Sequence, residues 1–369
     1  MSEPCCPVVC TCHAYLACSN NASQADPESG VLSRSGVFDA GATVDKPTNA
    51  YVMMMLSHFS YPPSFIVGGR GALSQDVFDE RFRATVLPRL GATAMTSLWG
   101  ADDVQAILLE SFDALFVVFA GSNSAADWFS NLDALTHNIT TTDFSATPVT
   151  LPRGFFLQYN GSRDLILSAV SAKMEAAPFK KLWFTGHSLG SALTTLFATR
   201  AQRIGLPVAG VYTFGSPTVG DAAYVAAYAS LGLASRTYQY VVPKDPIPTL
   251  PAAFSHPTPE ISTQRGCVRR RLNEVADARA SSGAAHTDTA LGAAAVAAAA
   301  AAEGRDGERG VVASGTGSRR MLLGNMGDSR VPHSLLRNYA ADVYKCQLSP
   351  EDRANVPDIE YFQYWGLME

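Results

Sequence analysis

The chain has 369 residues, enough for one large domain or two ordinary ones, and carries 33 acidic against 28 basic residues for a formal net charge of -5. That balance argues against nucleic acid as a main partner and gives no general attraction to anionic lipid surfaces. No apolar stretch reaches the roughly 20 residues that a membrane-spanning helix needs; the longest, Leu291 to Ala302, is mostly alanine.

Residues 1–47 read as a poorly ordered arm rich in Ser, Gly, Asp, Asn and Pro, with Cys5, Cys6, Cys10, Cys12 and Cys18 crowded at its start. These cysteines lack zinc-ligand spacing, so a disulfide-tied or reactive arm is the reading, and no metal is expected. Three sequons, at Asn21, Asn138 and Asn160, lean with the cysteines toward the secretory pathway. No signal peptide is evident, because no Lys or Arg precedes Arg34 and Pro4 and Pro7 interrupt the modest apolar stretch, so the cytoplasm stays open.

From Ala50 to Tyr61 the sequence is apolar on nearly every helical face, the pattern of a buried helix, and its three consecutive methionines read as core. Leu115 to Phe119 is a continuous apolar run of the kind a doubly covered strand shows. Phe156 to Glu175 reads as a helix, with Ile166, Val170 and Met174 along one side. Leu182 to Phe184 then leads into a glycine turn and a helix over 189–202, and strands follow at 208–214 and 236–242. Apolar strands alternating with helices imply an α/β fold with a mostly parallel central sheet covered by helices on both faces. Residues 258–328 are Ala-, Gly-, Ser- and Arg-rich with almost no aromatics, and they read as a disordered insertion within the one domain of residues 48–369. A helical segment over 334–343 closes the pattern.

Chemistry concentrates at Gly186-His-Ser188-Leu-Gly190. A serine at the tip of a sharp strand-to-helix turn is held exposed, and the flanking glycines let strand and helix pass close together. Such a hydroxyl needs a base, and the base needs a carboxylate to orient it, in chain order Ser, acid, His. Asp245 follows a strand on a loop stiffened by Pro243, Pro246 and Pro248; Asp221, the runner-up, reads instead as the cap of the next helix. His13, His58 and His137 precede the serine, His187 adjoins it, and His286 lies in the low-complexity stretch. His256 and His333 remain, and chain order favours His333. The backbone N–H of Leu189 is one oxyanion donor by position, and Ser122, after the 115–119 strand, offers a second.

Five blocks together resemble the class 3 (fungal-type) lipases of the α/β-hydrolase superfamily: residues 116–132, Gly154-Phe155 with its helix, residues 185–192, residues 213–220 and residues 241–251. The resemblance implies a Ser188–His333–Asp245 triad and an oxyanion hole of Ser122 and Leu189. It also implies a lid or substrate-binding segment carrying Asn123, Ser124, Asp127, Trp128 and Phe129. It implies hydrolysis of a lipid ester at a lipid–water interface, most simply a triacylglycerol, with no cofactor and no metal. A phospholipase or galactolipase, a soluble carboxylesterase, and a non-catalytic relative of the same fold stay open. The chain departs from the family at Ala120 (usually Arg), Arg153 (often His) and Ser191 (commonly Gly), and its acid and base are separated by the insertion. Secreted members that tie the segment after the base to the N-terminal arm suggest Cys346 paired with an N-terminal cysteine.

Overall fold

A computed structural model describes residues 30–61, 74–101, 104–121, 137–264, 267 and 335–357. Its centre is a seven-stranded sheet in the order β1-β2-β3-β6-β7-β8-β9. The strands are β1 (Ala94–Trp99), β2 (Gln105–Glu110), β3 (Ala114–Phe119), β6 (Lys181–His187), β7 (Val208–Phe214), β8 (Thr237–Val241) and β9 (Glu260–Ser262). Strands β1, β2 and β3 are antiparallel neighbours, and from β3 onward every pairing is parallel. A separate hairpin joins β4 (Asn138–Thr141) to β5 (Val149–Pro152).

The two faces of the sheet follow from side-chain alternation. On β3, Ala114, Phe116 and Val118 enter one core, and Leu115, Val117 and Phe119 enter the other. All six are buried, the signature of a strand covered on both sides. The first face is covered by helix α1 (Pro47–Phe59), which is buried continuously from Asn49 to Phe59, and by helical turns over Leu335–Ala340 and Val343–Gln347. Helices α3 (Arg153–Ala176), α4 (Leu189–Arg203) and α5 (Ala222–Ser230) cover the second. On α3 the buried set includes Ile166, Val170 and Met174, as the four-residue spacing predicts. A shorter helix, α2 (Gln75–Arg81), packs against β1.

Three expectations change. Residues 30–46 belong to the domain rather than to an arm: Val31, Leu32, Ala40 and Ala42 are buried, and Leu32 N–H donates to Leu90 O. The Trp183 indole also donates to Ala40 O. Residues 258–264, assigned from composition to the insertion, supply the edge strand β9; of the rest, only Cys267 is described. Cys346 pairs with Cys267 and not with an N-terminal cysteine; their Cα atoms are 4.6 Å apart. The reason is local docking. The Gln347 amide donates to Ser262 O and Thr263 O, and Thr263 and Gln264 side chains donate to Asp342. The stretch after β9 is thereby laid against the late helical segment. The arm cysteines lie outside the described residues.

Candidate active site

Strand β6 runs straight into α4 through Ser188, whose backbone takes φ 57°, ψ -130°. That conformation costs a non-glycine residue about 1–3 kcal/mol and persists where the surroundings over-determine it. Here they do. Ser188 N–H donates to Phe214 O at 2.9 Å, and Ser191 N–H donates to Ser188 O at 2.9 Å. The two motif glycines are required by contact. A Cβ on Gly186 would fall 2.5 Å from Gly190 O, and one on Gly190 would fall 2.5 Å from Phe119 O. The turn can be this tight only without side chains at both positions.

Ser188 therefore stands at the carboxyl edge of the sheet over the amino end of α4, where unpaired N–H groups and the helix dipole favour negative charge. Leu189 is the first residue of that helix, so its N–H has no intrahelical acceptor. Alongside, β3 ends at Phe119, in register with Gly186, and leads through Ala120 to Gly121, whose Cβ position lies 2.7 Å from His187 O. The end of β3 thus abuts the elbow. Ser122 follows directly in the chain but lies outside the described residues, as do Asn123, Ser124, Asp127, Trp128 and Phe129.

The acid candidates separate clearly. Asp221 Oδ1 accepts Tyr224 N–H as the cap of α5 and its Oδ2 accepts Thr150 N–H, a structural pairing on both oxygens. Asp245 lies past the end of β8, two strands from the elbow, which at ordinary strand spacing is about 10 Å. It is 5% exposed; Oδ1 accepts Ile247 N–H at 3.0 Å and Oδ2 accepts the Tyr339 hydroxyl in a short hydrogen bond. Lys244 takes a left-handed φ of 70° just before it. The loop is pinned from below, because Thr218 N–H and hydroxyl donate to Leu250 O and Pro251 O at 2.9 and 2.7 Å. The His256 Nε2–H donates to Pro248 O at 2.7 Å.

That bond gives His256 a positioning task, and burial holds its pKa below the ordinary histidine value, which favours the neutral ring. His187 is engaged away from the serine: Nδ1 is 3.0 Å from the Tyr61 hydroxyl, and its ring packs edge-on to Tyr339 at 5.8 Å. His13, His286 and His333 lie outside the described residues, so of the expected triad the structure describes Ser188 and Asp245.

Tyr339 had no role in the sequence reading. Fully buried, it spans from Asp245 to His187, and burial together with the Asp245 charge pushes its pKa well above the tyrosine value, so it remains a donor. Its only sequence signal is a tyrosine six residues past His333. Ser191 was read as a small-for-small change, yet its hydroxyl is bonded on both sides at the base of the elbow. Among the described residues, no cluster of His, Cys, Asp and Glu is placed to hold a metal ion, and no helix is long and apolar enough to cross a membrane.

Residues 116–255, from within β3 to the anchor of the acid loop, match the family model of class 3 lipases. The secreted mono- and diacylglycerol lipase A of Penicillium cyclopium is 29% identical over 150 residues, 40% of this chain and 47% of that protein. The lipase of Rhizomucor miehei is 27% identical over 273 residues, 64% of this chain and 70% of that one. The solved structure of the Rhizomucor miehei lipase propeptide complex superposes with a TM-score of 0.45 at 22% identity, over 58% of this chain and 67% of that chain. Against the Penicillium enzyme the chain spans about half the relative's length. The matched region runs from β3 through the Ser188 turn to the loop of Asp245, and over that region the chain is similar to class 3 lipases.

Proposed function

We propose that the chain hydrolyses carboxylic esters of lipids through an acyl-enzyme on Ser188, with triacylglycerol as the first substrate to test. The observation that carries this is the left-handed backbone of Ser188 at the β6–α4 turn, with a buried, oriented carboxylate at Asp245 two strands away. Backbone strain at a serine in a strand-to-helix turn is the arrangement that presents a nucleophile at the edge of a sheet.

In the proposed cycle His333 takes the Ser188 proton as the hydroxyl attacks the ester carbonyl. The N–H of Leu189 and the N–H or hydroxyl of Ser122 hold the oxyanion, each donor lowering the barrier by about 3–4 kcal/mol. His333 then protonates the departing alcohol, and water repeats the sequence on the acyl-enzyme. Asp245 orients the imidazole, and Tyr339 orients Asp245. The assignment of His333 draws support from the segment just after it. Leu335 begins the helical turns that put Tyr339 on Asp245, and two residues of chain reach about 7 Å at most. The segment holding Asn123, Ser124, Asp127, Trp128 and Phe129 is proposed as the lid over this edge of the sheet. The mono- and diacylglycerol and lipase activities named for the relatives support a lipid substrate.

The test is hydrolysis of p-nitrophenyl esters of rising chain length, with and without emulsion, by wild type and Ser188→Ala. Loss of about 10⁶-fold in kcat on substitution is expected. A Ser188→Ala protein that still turns over esters would refute the proposal.

A further inference from the structure

The ends of β6 and β7 are joined by a side chain that belongs to neither strand. Ser191, in the first turn of α4 and 0% exposed, donates its hydroxyl proton to Gly186 O at 2.6 Å and accepts Phe214 N–H at 3.0 Å. Phe214 O in turn accepts the N–H of Ser188. A chain of contacts therefore runs from the Ser188 amide through the main chain of Phe214 and the Ser191 hydroxyl, which also lies 3.2 Å from Phe214 O, to the carbonyl of Gly186, two residues before Ser188. Ser191 N–H closes a second link onto Ser188 O.

We propose that Ser191 is a positioning residue that holds the Ser188 elbow in its reactive geometry, acting through the backbone of Phe214 and Gly186 and touching no reacting atom. This rests on the ester-hydrolase reading of Ser188. The physical argument is one of over-determination. A positive φ at a residue with a Cβ is unfavourable in isolation, so the elbow relaxes toward ordinary φ when its restraints are removed. Without the hydroxyl, Gly186 O loses the donor from residue 191 and Phe214 N–H loses its side-chain acceptor, which leaves the β6–β7 ladder alone to hold the strand ends. Any shift of the loosened end of β7 carries the Ser188 amide with it, because that amide is bonded to Phe214 O. A shift of order 1 Å at the nucleophile costs about 10²-fold in rate.

A purely structural role predicts lost stability without a selective loss of chemistry, and a control on the same helix separates the two. Thr199 is equally buried, and its hydroxyl donates to Thr195 O at 2.7 Å and lies 2.8 Å from the Tyr224 hydroxyl, two turns away from the elbow. The experiment compares wild type, Ser191→Ala, Ser191→Gly and Thr199→Ala in thermal unfolding, in kcat and KM on a short p-nitrophenyl ester, and in the rate of labelling by a fluorophosphonate probe. Expected for Ser191→Ala are cooperative unfolding, a kcat and a labelling rate roughly 10- to 100-fold lower, and a KM within about threefold of wild type. Thr199→Ala should lower the Tm comparably and keep its kcat. A folded Ser191→Ala whose kcat and labelling rate stay within about threefold of wild type would overturn the proposal, as would an equal kcat loss in Thr199→Ala. Failure of both Ser191 variants to unfold cooperatively assigns the hydroxyl to folding and overturns it as well. A wild-type protein that does not label at Ser188 overturns the hydrolase reading itself, a result distinct from equal labelling of wild type and variant.

Discussion

Replacing Gly190 by Ala tests how tightly the elbow is coupled to the oxyanion strand. The added Cβ would stand 2.5 Å from Phe119 O and 2.8 Å from Ala120 O, both backbone atoms that cannot rotate aside. Restoring ordinary contact needs α4 and the end of β3 to part by about 0.9 Å, and Ser188 and Leu189 travel with α4. A displacement of that size between the proposed nucleophile and the proposed oxyanion donors corresponds to about 10²-fold in kcat/KM, or about 2.7 kcal/mol of barrier. The same overpacking destabilises the fold by about 1–3 kcal/mol. The assay is kcat/KM on a short p-nitrophenyl ester, beside urea unfolding. A Gly190→Ala enzyme within threefold of wild type, with an unchanged unfolding midpoint, would refute the reasoning, because it would mean that strand and helix part without consequence for the site.

Two further outcomes follow from the scaffold. The Cys267–Cys346 bond closes a loop of 79 residues, for which loop-closure entropy gives about 4.5 kcal/mol, so Cys346→Ser or reduction should move the urea midpoint down sharply; an unchanged midpoint would contradict this. Burial holds the His256 pKa below the ordinary 6.5, so the neutral ring's contribution is complete above that pH and declines as pH falls toward the folded value. Wild type should therefore lose stability below about pH 6.5 relative to His256→Gln, which keeps a donor for Pro248 O, and parallel stability–pH curves for the two proteins would contradict the assignment.

The parts of the site that were legible in the sequence are those whose chemistry demands a local pattern. Gly186 and Gly190 flank Ser188 because the turn admits no Cβ, and that requirement is written within five residues. Asp245 was legible because the surrounding prolines stiffen a loop after an apolar strand, and Asp221 was separable from it as a cap. What escaped depends on partners distant in the chain. Tyr339 reaches Asp245 across 94 positions, and nothing near it marks it as a donor to a carboxylate. The pairing of Cys346 with Cys267 could not be deduced from spacing, since connectivity among seven cysteines is not fixed by their order. Strand β9 is three residues of edge strand, too short to show a period against a low-complexity background. Residues 30–46 have no periodicity either, yet they bury Leu32 and Ala40 by following the surface of other elements. The antiparallel pair β1 and β2 was missed because the sheet was inferred from strand–helix alternation, which those two strands lack.

The account rests on Ser188 being an activated nucleophile served by an imidazole from the late helical segment. Its most direct measurement is peptide mapping after reaction with a fluorophosphonate, on wild type and on His333→Ala. The account predicts a single adduct on the peptide containing Ser188 and a labelling rate lower by several orders of magnitude in His333→Ala. An adduct elsewhere, or equal labelling of Ser188 in both proteins, would contradict it.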